Sequence, residues 1–294
     1  MPNFLALGLG EILWDILPEG RKLGGAPANF AFNVKALGGQ SLTASRVGDD
    51  ALGHEALSIL YEHGMDTSAV TLDPVHPTGR VDVILDDQGV ASYHFPNNVA
   101  WDFLELAPTL PSVLPKVSAV CFGSLAQRNE TSRSTIRDVL CHISKNALKL
   151  FDINLRLSFY TSEIIESSLQ LANVLKINEE ELNILRPMFG LPSSDINAMR
   201  TLCERYGLHC AACTRGDKGS LLVTPDSADD HHGEHPRSIV DTIGAGDSFS
   251  SVLAYGLYLG WDLKRINAHA NKVAAYICTQ SGAMNPLPAA LQMK

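Results

Sequence analysis

Apolar runs and amphipathic helical stretches alternate along most of the chain. "NFLALGLG" at residues 3–10 reads as a buried strand. Between Ala26 and Leu37, Phe30, Val34 and Leu37 share one helical face before Gly38-Gly39 stops the helix. "SLTASRVG" is the next strand, and "DALGHEALSILYEHG" is a helix with Leu52, Ala56, Ile59 and Leu60 inward and Gly64 as its stop. Further strands fall at 117–123, 148–154, 173–178, 209–214 and 219–224. Helices intervene around 130–145, 162–172, 179–188 and 195–206, and two more cover 246–259 and 262–280. This β-α alternation predicts a single α/β domain over 1–294, its central sheet mostly parallel with helices on both faces. Two segments break the rhythm. "TGRVDVILDDQGVASYHF" (78–95) alternates with period two around Asp86-Asp87-Gln88-Gly89, the pattern of an antiparallel hairpin, and 11–25 is extended and interrupted. These pieces, about 11–24 and 78–98, are expected to pair into a small β-sheet lid inserted over the main domain.

Bulk properties narrow the class. The 294 residues are 45% hydrophobic and 19% charged, a globular composition. Lys and Arg total 23 against 32 Asp and Glu, a net charge of −9 that argues against binding nucleic acid or an anionic membrane. No apolar run reaches the length of a membrane span, and "MPNFLALGLGEI" lacks the basic start of a signal peptide. The six cysteines are spread through apolar segments, which points to a reduced, cytoplasmic protein. "CAAC" (210–213) reads as part of a buried strand, because no second cysteine pair or histidine pair completes a zinc site. "HHGEH" (231–235) reads as solvated loop surface.

Open parallel sheets bind ligands beyond the carboxyl ends of their strands, and the unusual clusters sit there: "GEILWD", "DINLR", "NEEE" and "TRGDKG" each follow a strand. Two familiar motifs fail. "GLGEIL" has Leu13 where a dinucleotide fingerprint needs its third glycine, and the Gly-Lys of a Walker-type phosphate loop never occurs. "DTIGAGDSF" (241–249) is more informative. Backbone amides of 244–247 open a helix and form an anion hole strengthened by the helix dipole. Asp247 beside it would repel a carboxylate chosen for charge alone. A phosphoryl group in transit fits better: the hole stabilises its oxygens while the acid accepts a proton from the attacking hydroxyl.

"DTIGAGDSF" and "GGAPANFAFNVKALGG" (24–39) resemble the two signatures of the ribokinase-type carbohydrate kinases, also called the phosphofructokinase-B family. "GEILWD", "RVGDDALG" (46–53), "DINLR", "NEEE", "TRGDKG" and "SGAMNPLP" (281–288) fall in family order, so the resemblance covers essentially the whole chain. "GEILWD", "PTGRVDVILDDQG" with "YHF", and "NNVAWD" lean towards bacterial fructokinases. The resemblance implies a ribokinase-like fold and ATP-dependent phosphorylation of a sugar, D-fructose to fructose 6-phosphate, with Mg2+ and a monovalent cation such as K+ as cofactors. It implies Asp247 as general base, with Gly244, Ala245 and Gly246 as anion hole and Arg156 near the sugar and the transferred phosphate. Asp15, Gly25 and Asn29 are expected at the sugar, with Phe95 as an apolar cover. Asn178 and Glu181 would organise the magnesium, and Thr214, Gly216 and Gly219 the nucleotide phosphates. Asn271 would lie near the adenine and Asp241 near a cation. A homodimer is expected.

The residues by themselves leave other readings open. Asp15 also suits a turn before Pro18, Arg156 suits a surface pair with Asp152, and Glu179–Glu181 suit an electrostatically favoured helix start. A kinase of 2-keto-3-deoxygluconate, ribose or a nucleoside is the nearest alternative function. A non-catalytic sugar- or nucleotide-binding protein on the same scaffold is another, and a dinucleotide oxidoreductase a distant third.

Overall fold

The computed structural model describes residues 4–17, 20–85, 91–236 and 238–293. Its strands are β1 (Leu5–Leu9), β2 (Leu13–Leu17), β3 (Gly20–Gly24), β4 (Gln40–Gly48), β5 (Val70–Asp73), β6 (Gly79–Leu85) and β7 (Ala91–His94). They continue as β8 (Ala119–Phe122), β9 (Leu148–Asp152), β10 (Val174–Asn178), β11 (Cys210–Thr214), β12 (Ser220–Val223) and β13 (Ala228–His231). The helices are α1 (Ala26–Leu37), α2 (Ala51–Glu62), the single turn α3 (Leu110–Val113), α4 (Glu130–His142) and α5 (Ser162–Leu171). After them come α6 (Glu179–Phe189), α7 (Asp195–Tyr206), α8 (Ala245–Tyr258) and α9 (Leu263–Cys278).

Nine strands form the main sheet in the order β13-β12-β11-β10-β9-β8-β1-β4-β5. From β11 to β5 every pairing is parallel, while β12 and β13 run antiparallel at one edge. The turn at 215–219 is too short for the crossover a parallel partner needs, so β12 has to fold straight back on β11. Alternation along the strands divides the core. Leu7, Leu9, Val120, Phe122, Leu175 and Ile177 pack towards α4, α5, α6 and α7. Ala6, Ala119, Cys121, Leu150 and Val174 pack towards α1, α8 and α9. On this second face Asp152 and Lys176, the next positions of that parity on β9 and β10, are charged yet buried.

The expected small sheet is present, in the order β3-β2-β6-β7. It is two antiparallel pairs joined by a parallel contact, Asp15 on β2 lying opposite Val81 on β6. The turn Asp86-Asp87-Gln88-Gly89 lies outside the described residues. Trp14 anchors this sheet: its ring is buried against α1 and α2, and its indole N–H donates to the Leu52 carbonyl at 3.0 Å.

Two strands were not anticipated. β5 is the short, partly exposed segment "VTLD", and β13 is the mostly polar edge segment "ADDH", so neither carries an apolar pattern to announce it. His231 of "HHGEH" ends β13, and the rest of that cluster follows it. Cys210 and Cys213 are buried in β11, as a strand reading requires. Among the described residues no helix is long and apolar enough to cross a membrane.

Candidate active site

The starts of α1 and α8 meet at the carboxyl edge of the main sheet. Gly244 precedes α8 with φ 79°, and a Cβ there would fall 2.3 Å from the Ala283 methyl, so only glycine fits. Among the described residues no side chain caps α8. The Ala245 amide, expected in the anion hole, instead donates to the Thr242 carbonyl at 3.3 Å, while those of Gly246 and Asp247 have no intrahelical acceptor and lie at the positive end of the helix dipole. Asp247 stands in this first turn, and its Oδ2 accepts a 2.8 Å hydrogen bond from Asn29 Nδ2 on α1. Ser251 Oγ, one turn on, donates to the Phe30 carbonyl at 3.0 Å and locks the two helices together. The Asn29 carbonyl accepts from Asn33 Nδ2 at 2.8 Å, while its side-chain oxygen is buried with no partner among the described residues. The Asp247 carboxyl is pushed up to about 6, by burial first and the negative charge of Asp152 next. The Asn29 hydrogen bond, Lys176 and Arg156 pull the other way.

Around this carboxylate the structure gathers most residues expected at a sugar. Gly25 begins α1 with φ 113°, and a Cβ there would lie 2.3 Å from the Glu11 carbonyl oxygen. The segment between β1 and β2 thus passes directly over the start of α1. Asp15 points at Gly24, whose Cβ position is 2.9 Å from Asp15 Oδ2. Burial raises its carboxyl, and the charges of Arg156 and Lys22 offset this. Asp15 is therefore a strand residue, not a turn before Pro18. Arg156 is exposed, and its Nη1 bonds the neighbouring Leu155 carbonyl at 3.0 Å. It does not pair with Asp152, because Asp152 is taken by Lys176 Nζ at 3.0 Å. Two residues near Arg156 have left-handed backbones, Asn154 at φ 48° and Leu157 at φ 47°. For a leucine that conformation is strained, and such strain concentrates at functional loops. Phe95 is buried, edge-on to Phe159 with ring centroids 5.8 Å apart.

Residues expected at the nucleotide continue along the same edge. Asn178 caps α6: its Oδ1 accepts from the Glu181 amide at 2.8 Å, and Glu181 Oε2 accepts from the Asn178 amide at 2.8 Å. Glu181 Oε1 accepts from the Leu155 amide at 2.8 Å, which fastens the Arg156 loop to α6. Thr214 lies beside Asn178 in the sheet register, and Gly216 and Gly219 bound the turn that follows. Asn271 on α9 donates to Ser220 Oγ at 2.7 Å and the Asn267 carbonyl at 2.9 Å, so its amide nitrogen is spent inside the protein. Asp241 accepts from Lys22 Nζ at 3.0 Å and from the amides of Ile243 and Gly282 at 3.0 and 2.9 Å. Those donors hold its carboxyl below the usual range despite its burial. Lys22 thereby ties the small sheet to the segment leading into α8.

Could these side chains hold a magnesium ion? Among the described residues no three His, Cys, Asp or Glu side chains form a cage. Both Glu181 oxygens already accept backbone amides, which leaves only their remaining lone pairs. That donor set suits an ion completed by nucleotide phosphates and water, the usual manner of magnesium, rather than a dedicated protein site.

Comparison with known proteins decides the family. Residues 20–290 match the pfkB family carbohydrate kinase description. This chain belongs to that family. As a carbohydrate kinase it is 33% identical to the fructokinase of Salmonella typhimurium, the match covering 95% of each chain. Its fold superposes on a fructokinase from Vibrio cholerae O395, solved with fructose, ADP and a calcium ion, with a TM-score of 0.82. That pair is 28% identical over 99% of this chain and 98% of the other. A sugar kinase from Pyrococcus horikoshii in complex with ATP superposes with a TM-score of 0.78, at 28% identity over 96% and 94% of the chains.

Three groups in this kinase's site escaped the sequence reading: Glu11, Asp152 and Lys176. The signal was there, since each is a charge placed inside or directly after an apolar run. What was missing for Asp152 and Lys176 was their pairing with each other. Glu11 is only 2% exposed, and its Oε2 has no partner among the described residues. Burial pushes its carboxyl from 4.5 up to about 7, with Asp247 adding to the rise. The folded protein therefore binds this proton more tightly than the unfolded chain does. The resulting stability is complete below about pH 4.5, declines as pH rises, and is gone above about pH 7. Glu11→Gln is expected to raise the unfolding free energy at pH 8 by about 3 kcal/mol at most. At pH 4.5 it should change little. Urea denaturation at both pH values checks this, and equal effects at the two would refute it.

Proposed function

We propose that this protein transfers the γ-phosphoryl group of ATP to the 6-hydroxyl of D-fructose, giving fructose 6-phosphate and ADP. One observation carries the reading: the Asp247 carboxylate stands in the first turn of α8 beside outward-facing amides. The similarity to fructokinases over nearly the whole chain supports the sugar. Asp247 takes the proton of the attacking hydroxyl as its oxygen bonds the γ-phosphorus, and the bond to the ADP oxygen breaks. The amides of Gly244 and Gly246 stabilise the oxygens of the phosphoryl group in flight, and the exposed Arg156 reaches the same charge. Asn29 orients the carboxylate through Oδ2. Mg2+ bound with the nucleotide supplies charge neutralisation at the phosphates, next to Glu181 and Asn178.

Asp247→Asn is expected to lose roughly 10²–10⁴ in turnover while still binding ATP and sugar. Near wild-type turnover in a coupled ADP-release assay would sink the assignment of the base and leave the kinase activity in place. The same assay over a sugar panel should give fructose a higher kcat/KM than ribose, 2-keto-3-deoxygluconate or adenosine. A panel led by any of those three overturns the specificity and leaves the kinase in place.

The small sheet acts in this reading as a lid whose closure expels water that would otherwise take the phosphoryl group. Asp15 on β2 is the lid's acceptor for the sugar hydroxyls. Asp15→Ala should weaken fructose binding by roughly 1–3 kcal/mol. Affinity for ATP without sugar should barely move, because the nucleotide residues all follow residue 177. Titration calorimetry decides: unchanged fructose affinity, or equal losses for both ligands, removes Asp15 from the lid role.

A further inference from the structure

The buried ion pair on the α8 face of the sheet is costly and has no evident stability role. Lys176 and Asp152 are 7% and 3% exposed, directly opposite one another on β10 and β9, with Nζ 3.0 Å from Oδ1. Replacing such a pair with apolar residues is often neutral or stabilising, so burial alone does not account for it. The pair is also built with care. Asp152 Oδ2 accepts from Ser250 Oγ on α8 at 2.7 Å, so both carboxylate oxygens are engaged. The Lys176 ammonium then reaches under the start of α8, where a Cβ on Gly246 would stand 3.0 Å from Nζ. Gly246 thus leaves room for a cation against the positive end of a helix dipole. That placement is electrostatically unfavourable by itself, and it makes sense where negative charge has to be held.

We propose that Lys176 is a positioning residue for phosphoryl transfer: seated by Asp152 beneath Gly246, its ammonium holds Asp247 in the ionised form and adds fixed positive charge under the amides. This rests on the reading of Asp247 as the base. Asp152 has the opposite local effect on Asp247, and its role is to hold Lys176 in place. The charged and titratable groups around Asp247 are Glu11 after β1, Asp152 on β9, Arg156 in the following loop and Lys176 on β10. Cys121 on β8 faces the same cluster, and burial raises its thiol far enough to keep it neutral. Burial raises the Asp247 carboxyl, Asp152 adds to the rise and Lys176 opposes it, so removing either member of the pair shifts Asp247 in a known direction.

The test is the acid limb of kcat/KM against pH for fructose phosphorylation. Lys176→Met should move that limb up by roughly one pH unit, and Asp152→Asn should move it down by a similar amount. A role confined to packing predicts no such opposition. Limbs that stay in place, or that move in the same direction, overturn the proposal. Either single change leaves a buried charge unpaired, so the double variant Lys176→Met with Asp152→Asn is made as well. It should keep a thermal midpoint at or above that of the parent and lose at least about tenfold in kcat. A folded double variant with the parental kcat and acid limb overturns the proposal whatever the single variants do. Asp247→Asn in the same assay separates the two ideas. Retained turnover there removes the base itself, whereas lost turnover with unmoved limbs in the Lys176 and Asp152 variants removes only the role of Lys176.

Discussion

A buried ammonium surrounded by carboxyl groups organises the centre of this kinase. Lys176 carries its charge inside the sheet face because Asp152 bonds it directly and Glu181 and Asp247 lie close enough to favour it. Each of those acids also holds a piece of the site. Asp152 takes Ser250 of α8, Glu181 fastens the Arg156 loop through the Leu155 amide, and Asp247 joins Asn29 of α1. The cation therefore sits where α8, β9, β10 and α6 have to agree in position. A misplaced element would leave a charge unpaired in a low-dielectric interior, which is among the more expensive errors a fold can make.

The remaining geometry follows from strand direction. Parallel strands place their carboxyl ends on one edge, and there the chain turns into α1, α6 and the Arg156 loop. Helix starts bring amides to that edge, and burial raises the carboxyls of the acids next to them. Asp247 at about 6 and Glu11 at about 7 show that burial outweighs the nearby positive charges. A carboxyl near 6 is mostly ionised at neutral pH and still accepts a proton readily, which suits the role proposed for Asp247. The small sheet lies beside this edge. It is anchored by Trp14 against α2 on one side and by Lys22 on Asp241 on the other, so its position is linked to the segment that enters α8.

Much of this was legible from the sequence because local chemistry announces it. The helix at Ala26–Leu37 has its apolar face, its early proline and a glycine stop, and the structure begins and ends it at those residues. The glycines before Asp247 announced a helix start needing room, and the alternation of 78–95 announced strands outside the parallel sheet. β5 and β13 were silent because a short edge strand needs no apolar pattern.

What only the tertiary structure decided is who stands next to whom. Asp152 and Lys176 are 24 residues apart, and Asp152 could equally have met a surface partner such as Arg156. Parallel register placed them side by side on the α8 face. Asn29 and Asp247 are 218 residues apart, each plausible alone as a sugar ligand, yet here they bond each other. Asp241, an expected cation ligand, is met by Lys22 from the small sheet across 219 residues. The sequence by itself determined the elements, their parity and the chemical types at the strand ends, because those depend on neighbours within a few positions. Pairing of buried charges depends on which strands lie adjacent and in what register, and that is settled only when the whole sheet closes.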